Sequence, residues 1–273
     1  MHRFTSIFST PTGFFILLLL CVYSIWWALL PFAGNTNLSN ATLFWGASYQ
    51  IVALSGALYG LFLSKRWGGL RSIVGRAILL FSLGLLFQVL GQSISTYYVL
   101  QGVGVPYPSI GDIGFFGSII WYAAGAILLA KASGAHISLR SYSGRMLALL
   151  LPILLLSISA WFFLRDYVFD WSQPLVIFLD FGYPLGQAFY VSMAILAFFL
   201  SRKTLGGLMK MPMLFFIVAL ICQYIADFTF LYMSHAGTYV AGGIDDYLYL
   251  FSYFLMATSL VQLGVVFDHI NQS

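Results

Sequence analysis

Apolar residues run along this chain in long unbroken stretches, separated by short polar connections. A helix needs about 20 mainly apolar residues to cross the hydrocarbon core of a bilayer. Eight stretches meet that requirement: Gly13–Phe32, Leu43–Ser64, Ile73–Ser95, Asp112–Lys131, Arg145–Leu164, Gln173–Leu200, Met211–Met233 and Asp245–Phe267. Barrel strands would alternate apolar and polar positions over about ten residues, and these runs do not. The pattern predicts an all-α, polytopic membrane protein, one transmembrane domain over residues 1–273 with eight transmembrane helices. The first stretch outruns the 7–15 apolar residues of a secretory signal, so it is read as a retained span.

Composition narrows the class. The chain is 61% apolar and 7% charged, against about 25% charged in soluble domains. Soluble, disordered and disulfide-framework classes are excluded. The charges comprise eight Asp, no Glu, eight Arg and four Lys. Arg3, the connection with Lys65, Arg66, Arg71 and Arg76, the one with Lys131, Arg140 and Arg145, and the one with Arg202, Lys203 and Lys210 fall on one side. Only Arg165 falls on the other. The positive-inside rule then predicts cytoplasmic N and C termini in a cell membrane. Seven of the eight aspartates fall on or near the outer side, and Asp268 alone is inside. The sequence pI near 9.0 is therefore a topology signal with attraction to anionic lipid, not a nucleic-acid footprint.

The outer aspartates recur in register. Asp112-Ile-Gly-Phe opens the fourth span and Asp180-Phe-Gly-Tyr lies in the sixth, with Trp121-Tyr122 matching Phe189-Tyr190 at the same offset. Asp245-Asp246-Tyr247-Leu248-Tyr249 opens the eighth. In the preceding spans, Gln88-x-x-x-Gln92 resembles Gln223-x-x-x-Asp227. This predicts about four parallel helical hairpins, over 13–64, 73–131, 145–200 and 211–267. It also places Asp180 near the outer start of its helix, with Trp171–Leu179 as an interfacial approach. Asp112, Asp245 and Asp246 suit helix-start capping, where a carboxylate accepts first-turn N–H groups and meets the positive dipole end.

Polar residues inside a membrane are costly and often functional. Gln88 and Gln92 share a helical face, as do Gln223 and Asp227, and Asp180 and Gln187. With Asp112 and Asp246 they form a candidate ligand-binding pocket in the outer half, which tyrosines such as Tyr107, Tyr183, Tyr190 and Tyr249 could line. The competing expectation is packing, because such contacts also hold membrane helices together at about 0.6–2 kcal/mol each. Gly56-x-x-x-Gly60 and Gly182-x-x-x-Gly186 fit close packing within the chain. Cys21 and Cys222 read as packed thiols. His2, His136, His235 and His269 fall at ends or loops, no two on one helix, so neither a haem nor a metal site is expected, and no cofactor.

The segments Pro106-Tyr107-Pro108-Ser109-Ile110-Gly111-Asp112-Ile113-Gly114-Phe115, Asp180-Phe181-Gly182-Tyr183-Pro184-Leu185-Gly186 and Gly243-Ile244-Asp245-Asp246-Tyr247-Leu248-Tyr249, the last with Gly237-Thr238-Tyr239, carry a family likeness. They resemble the multi-pass sensory regions that precede the catalytic domains of some bacterial diguanylate cyclases and sensor kinases. The likeness covers roughly residues 85–265. It implies a membrane input module that signals to a cytoplasmic catalytic part. No such sequence follows Phe267 here, so the expectations are a chain that acts alone, one that signals to a separate cytoplasmic protein, or an excised domain. The leading reading is a sensory or ligand-binding module for a small or lipid-like ligand. An integral-membrane hydrolase with Asp180 and Asp227 as acid and base is the alternative. A solute or ion carrier comes third, because the inner half offers few polar residues.

Overall fold

The computed structural model describes residues 7–33, 40–103, 105–132, 142–164, 167–201, 209–235 and 238–272. Nine α-helices account for nearly all of them: α1 Pro11–Leu29, α2 Asn40–Ser48, α3 Ile51–Arg66, α4 Ile73–Leu100, α5 Gly111–Ala132, α6 Tyr142–Leu164, α7 Pro174–Ser201, α8 Lys210–His235 and α9 Ile244–Gln272. No strand occurs among the described residues. Among the described residues, seven spans are long and apolar enough to cross a membrane: α1, α2 with α3, α4, α5, α7, α8 and α9. The stretch 145–164 falls on α6, whose described apolar run is Leu149–Ile158. The protein is thus a multi-pass helical membrane protein.

Local chemistry sets several helix ends. Thr10 accepts the Gly13 N–H at 3.1 Å, with Pro11 following at the first helical position, where its missing N–H costs nothing. Ser72 caps α4 through the Gly75 N–H. The second predicted span is one path in two pieces, with a turn at Tyr49-Gln50 between α2 and α3. Side chains take the carbonyls around that turn. Tyr23 donates to the Ser48 carbonyl at 2.9 Å, Gln92 to the Gly46 carbonyl at 3.3 Å and Gln50 to the Ala47 carbonyl at 2.9 Å. Backbone freed from a helix inside a membrane requires such substitutes.

Helices α3, α4, α5, α7, α8 and α9 follow one another around a closed ring, while α1 leans on α9 and α6 on α7 from outside. The outer pair shows carbon to lipid through Phe14, Leu18 and Ile25 of α1 and Leu150, Leu154 and Trp161 of α6. Helix α9 is the most enclosed. Of its most apolar stretch 83% is buried, against 22% for α1. Phe81 of α4 stacks on Phe216 of α8 at 4.2 Å, closing the middle of the ring. Close approach needs glycine where α4 meets α5. A Cβ on Gly114 would stand only 2.6 Å from the Phe87 carbonyl oxygen. Gly56 packs against Ala257 and Gly186 against Ile119, so both small-residue motifs serve contacts within the chain.

The two ends of the ring differ in charge. Lys65, Arg66, Arg71, Arg76, Lys131, Arg145 and Lys210 lie at the basic end with Asp268, at helix termini or in the turn between α3 and α4. Asp112, Asp170, Asp180, Asp227, Asp245 and Asp246 lie towards the acidic end. Arg3, Arg140, Arg165, Arg202, Lys203, Asp166, Gly237, His2 and His136 lie outside the described residues, as does the His235 side chain.

One boundary departs from expectation. Helix α7 begins at Pro174, so Asp180 is its seventh residue and not a helix-start device. Residues 174–179 are helical rather than an interfacial approach, because Pro174 supplies a good first helical position and Asp170 organises the turn before it.

Candidate functional site

The candidate residues group around four aspartates, each held from more than one chain segment. Asp227, on α8, accepts from Gln187 of α7 at 2.7 Å, from Gln223 one turn earlier at 3.3 Å and from Tyr249 of α9 at 2.5 Å. Three helices meet on that one carboxylate. Gln223 extends the group, since its carbonyl accepts from Ser252 of α9 at 3.1 Å.

Asp180 and Asp112 form a crossed pair between α7 and α5. Asp180 accepts from Tyr107, in the connection before α5, at 2.6 Å and from Tyr167, before α7, at 2.8 Å. Asp112 in turn accepts from Tyr183 of α7 at 2.7 Å. Tyr183 stands three residues after Asp180, and Tyr249 three after Asp246. Each reaches across to an aspartate of a neighbouring helix. The equivalent position after Asp112 is Phe115, which has no hydroxyl.

Asp112 and Asp246 do close loops at helix starts, but backwards. Asp112 accepts the Ser109 N–H at 2.6 Å while the Ser109 hydroxyl accepts the Gly111 N–H at 3.1 Å. Asp112 thus reaches back to Ser109 as the acid of a capping box does, while the Ser109 hydroxyl takes the N–H two residues on. Asp246 accepts the Gly242 N–H at 2.6 Å and faces the Tyr49 hydroxyl at 3.4 Å. Asp245 is buried in the first turn of α9, where the backbone N–H groups of Asp245 and Asp246 are the donors nearest its carboxylate.

Gln88 and Gln92 share a face but serve different neighbours. Gln88 donates to Ser118 of α5 at 2.7 Å and accepts from Tyr253 of α9 at 3.1 Å, while Gln92 reaches the α2 carbonyl already described. Among the tyrosines named from sequence, Tyr107, Tyr183 and Tyr249 hold aspartates, and Tyr190 is buried with an unpartnered hydroxyl. Sequence reasoning missed Tyr167, Tyr253, Tyr49, Ser118 and Ser252. A helical-face signal existed for Tyr253, four residues after Tyr249. None existed for the contacts of Tyr49 and Tyr167, which depend on tertiary approach.

Asp180 and Asp227 have no hydrogen-bonding partner in common. Gln187, which holds Asp227, is seven residues beyond Asp180 on α7, about 10 Å of helical rise. Beside the Asp180 clasp lies an open groove of about 310 Å³ lined by Phe169, Ile177, Phe178, Phe181, Gly182 and Leu185. Its walls are carbon, unlike the polar pocket expected. The connection that frames it is built by Asp170, which accepts from the Ser172 hydroxyl, the Ser172 N–H and the Gln173 amide. Those bonds, the hydroxyl first, hold its carboxyl below the usual range. Burial, and then the hydrogen bond to Asp180, push the Tyr167 phenol up to about 12. Tyr107 moves in the same direction for the same reasons.

Comparison of the chain with protein-family models, with characterised proteins and with solved structures gives no match. The function is argued from this geometry.

Proposed function

We propose that the protein is a membrane-embedded sensory module of eight spans in four hairpins, with both termini cytoplasmic. A small or lipid-like ligand from the outer leaflet occupies the α7 groove and its state is passed to a cytoplasmic partner. The observation that carries this reading is the position of α7. One helix bears the groove, the Asp180 clasp and Gln187, which binds the carboxylate shared by α7, α8 and α9. A ligand that shifts α7 alters a hydrogen-bonded junction of three helices, and two packings of such a junction can carry a signal. The carbon walls of the groove favour an acyl chain over a polar solute. The hydrolase reading draws no support from Asp180 and Asp227, which lack a common partner. The likeness to sensory input regions agrees with the proposal.

The test is native mass spectrometry of the full chain released from nanodiscs of defined lipid. A retained lipid or small molecule is expected for the wild type and its loss for Leu185→Trp, which fills the groove. An empty wild-type protein, or equal retention in both, contradicts the reading.

A further inference from the structure

The groove on α7 has carbon walls, but its rim is aromatic and acidic. Phe169 and Phe181, two of the walls, have ring centres 5.5 Å apart. Each is next to an aspartate in sequence, Asp170 after the first and Asp180 before the second. The aromatic surface continues beyond the groove. Trp171 stacks on Phe169 at 5.5 Å, the rings 13° from parallel, and Tyr167 meets Phe169 and Phe181 edge-on at 5.1 Å each. Trp171 is 76% exposed, so the stack opens outwards. Leu185, at the far end of the groove, stands eleven residues beyond Pro174, about 16 Å of helical rise. The groove therefore runs from the level of the interfacial aromatics, where lipid headgroups lie, into the depth of the acyl chains.

The charge at the rim has one sign. The Asp170 carboxylate is exposed and accepts from the Ser172 hydroxyl, the Ser172 N–H and the Gln173 amide. Those bonds keep it ionised, with its carboxyl below the usual range. Asp180 accepts one bond on each oxygen, from Tyr107 and from Tyr167, and keeps further lone pairs. In the sequence, the outer connections and helix ends hold seven aspartates against one cation, Arg165. A headgroup with net negative charge meets like charge here. An ammonium is drawn by the carboxylates and by the aromatic faces beside them.

We propose that the groove selects an outer-leaflet lipid with an ammonium headgroup, the acyl chain lying along Phe178 and Leu185 and the ammonium at the Phe169–Trp171 stack beside Asp170. The proposal rests on the groove being the ligand site of the sensory reading, and adds the headgroup that it selects.

The experiment uses the full chain in nanodiscs of equal parts dioleoyl phosphatidylethanolamine and dioleoyl phosphatidylglycerol, released for native mass spectrometry. Leu185→Trp, which fills the groove, gives the background of lipid held elsewhere. Above that background the wild type should hold phosphatidylethanolamine over phosphatidylglycerol by about fivefold, the size of an exposed cation–π contact with a surface ion pair. Trp171→Ala and Asp170→Asn should each bring that ratio towards one and leave the total above background in place. Trp171→Ala keeps the hydrogen bonds of Asp170, so it decides alone where Asp170→Asn does not fold. A wild-type ratio of one, a preference for phosphatidylglycerol, or a ratio unchanged in either folded variant overturns the headgroup selection and leaves the groove reading intact. No lipid above background in the wild type overturns both.

Discussion

The acidic and basic ends of the ring are held together in different ways. At the acidic end, hydroxyls and amides from one helix grip carboxylates on the next, as Tyr183 grips Asp112 and Tyr249 grips Asp227. Towards the basic end, Met213, Phe216 and Leu260 pack in the core, and the hydrogen bonds between helices end on backbone carbonyls, as from Ser64 to Gly75 and from Ser259 to Pro212. The ion pair of Arg66 with Asp268 lies at the rim and is partly exposed. Hydrogen bonds are directional and can be exchanged, whereas apolar packing within a bilayer mostly sets distance. Under the proposed sensory function, the contrast would place switching at the acidic end and registration at the basic end.

Breaking the acidic end at its junction should have the largest effect. Asp227→Ala leaves Gln187 and Tyr249 facing a void and should cost about 3 kcal/mol, read as reversible unfolding in nanodiscs. Asp227→Asn, which keeps the shape, should cost less than half of that. Equal losses for the two variants would reduce the junction to packing. Gly114→Ala comes next, at about 1–3 kcal/mol, because backbone of α4 occupies the space its methyl would need. A cost near zero would show that α4 and α5 separate easily.

Tyr183→Phe should cost about 1.5 kcal/mol, the value of one hydrogen bond to a charged group. Arg66→Ala, at the other end, should cost under about 1 kcal/mol and be weaker still in high salt. If Arg66→Ala proves the more damaging of the two, the proposed division between ends is reversed. A pH titration sharpens the same comparison. The Tyr167 phenol has its pKa raised on folding, from 10.0 to about 12. Its contribution is therefore complete below pH 10 and lost as pH climbs through 12. The fluorescence of Trp171, in the connection that Tyr167 ties to Asp180, should change over that window in the wild type and stay flat in Tyr167→Phe.

Much of the fold was legible because insertion into a bilayer leaves long apolar runs. The helices at 73–100, 111–132 and 244–272 start or end within a few residues of their predicted bounds. The break at Tyr49-Gln50 was not legible. It depends on Tyr23 and Gln92 arriving from other helices to take carbonyls, and no local proline announces it. The pairing of Gln223 with Asp227 followed from helical spacing alone. Asp180 misled, because its repeat position suggested a helix start while Pro174 began the helix earlier. The different surroundings of Asp245 and Asp246 could not be told in sequence, since adjacent helix residues point in directions about 100° apart and only packing decides what each meets.

The central claim is that the Asp227 junction is coupled to the opposite end of the bundle. Pulsed electron–electron resonance measures this directly, with spin labels at Lys65 and Met211, in a chain whose Cys21 and Cys222 are replaced by Ser, held in nanodiscs. The account predicts one distance distribution for the otherwise unaltered chain and a shifted or two-peaked distribution for Asp227→Asn with helicity retained. Superimposable distributions for a folded Asp227→Asn would contradict it.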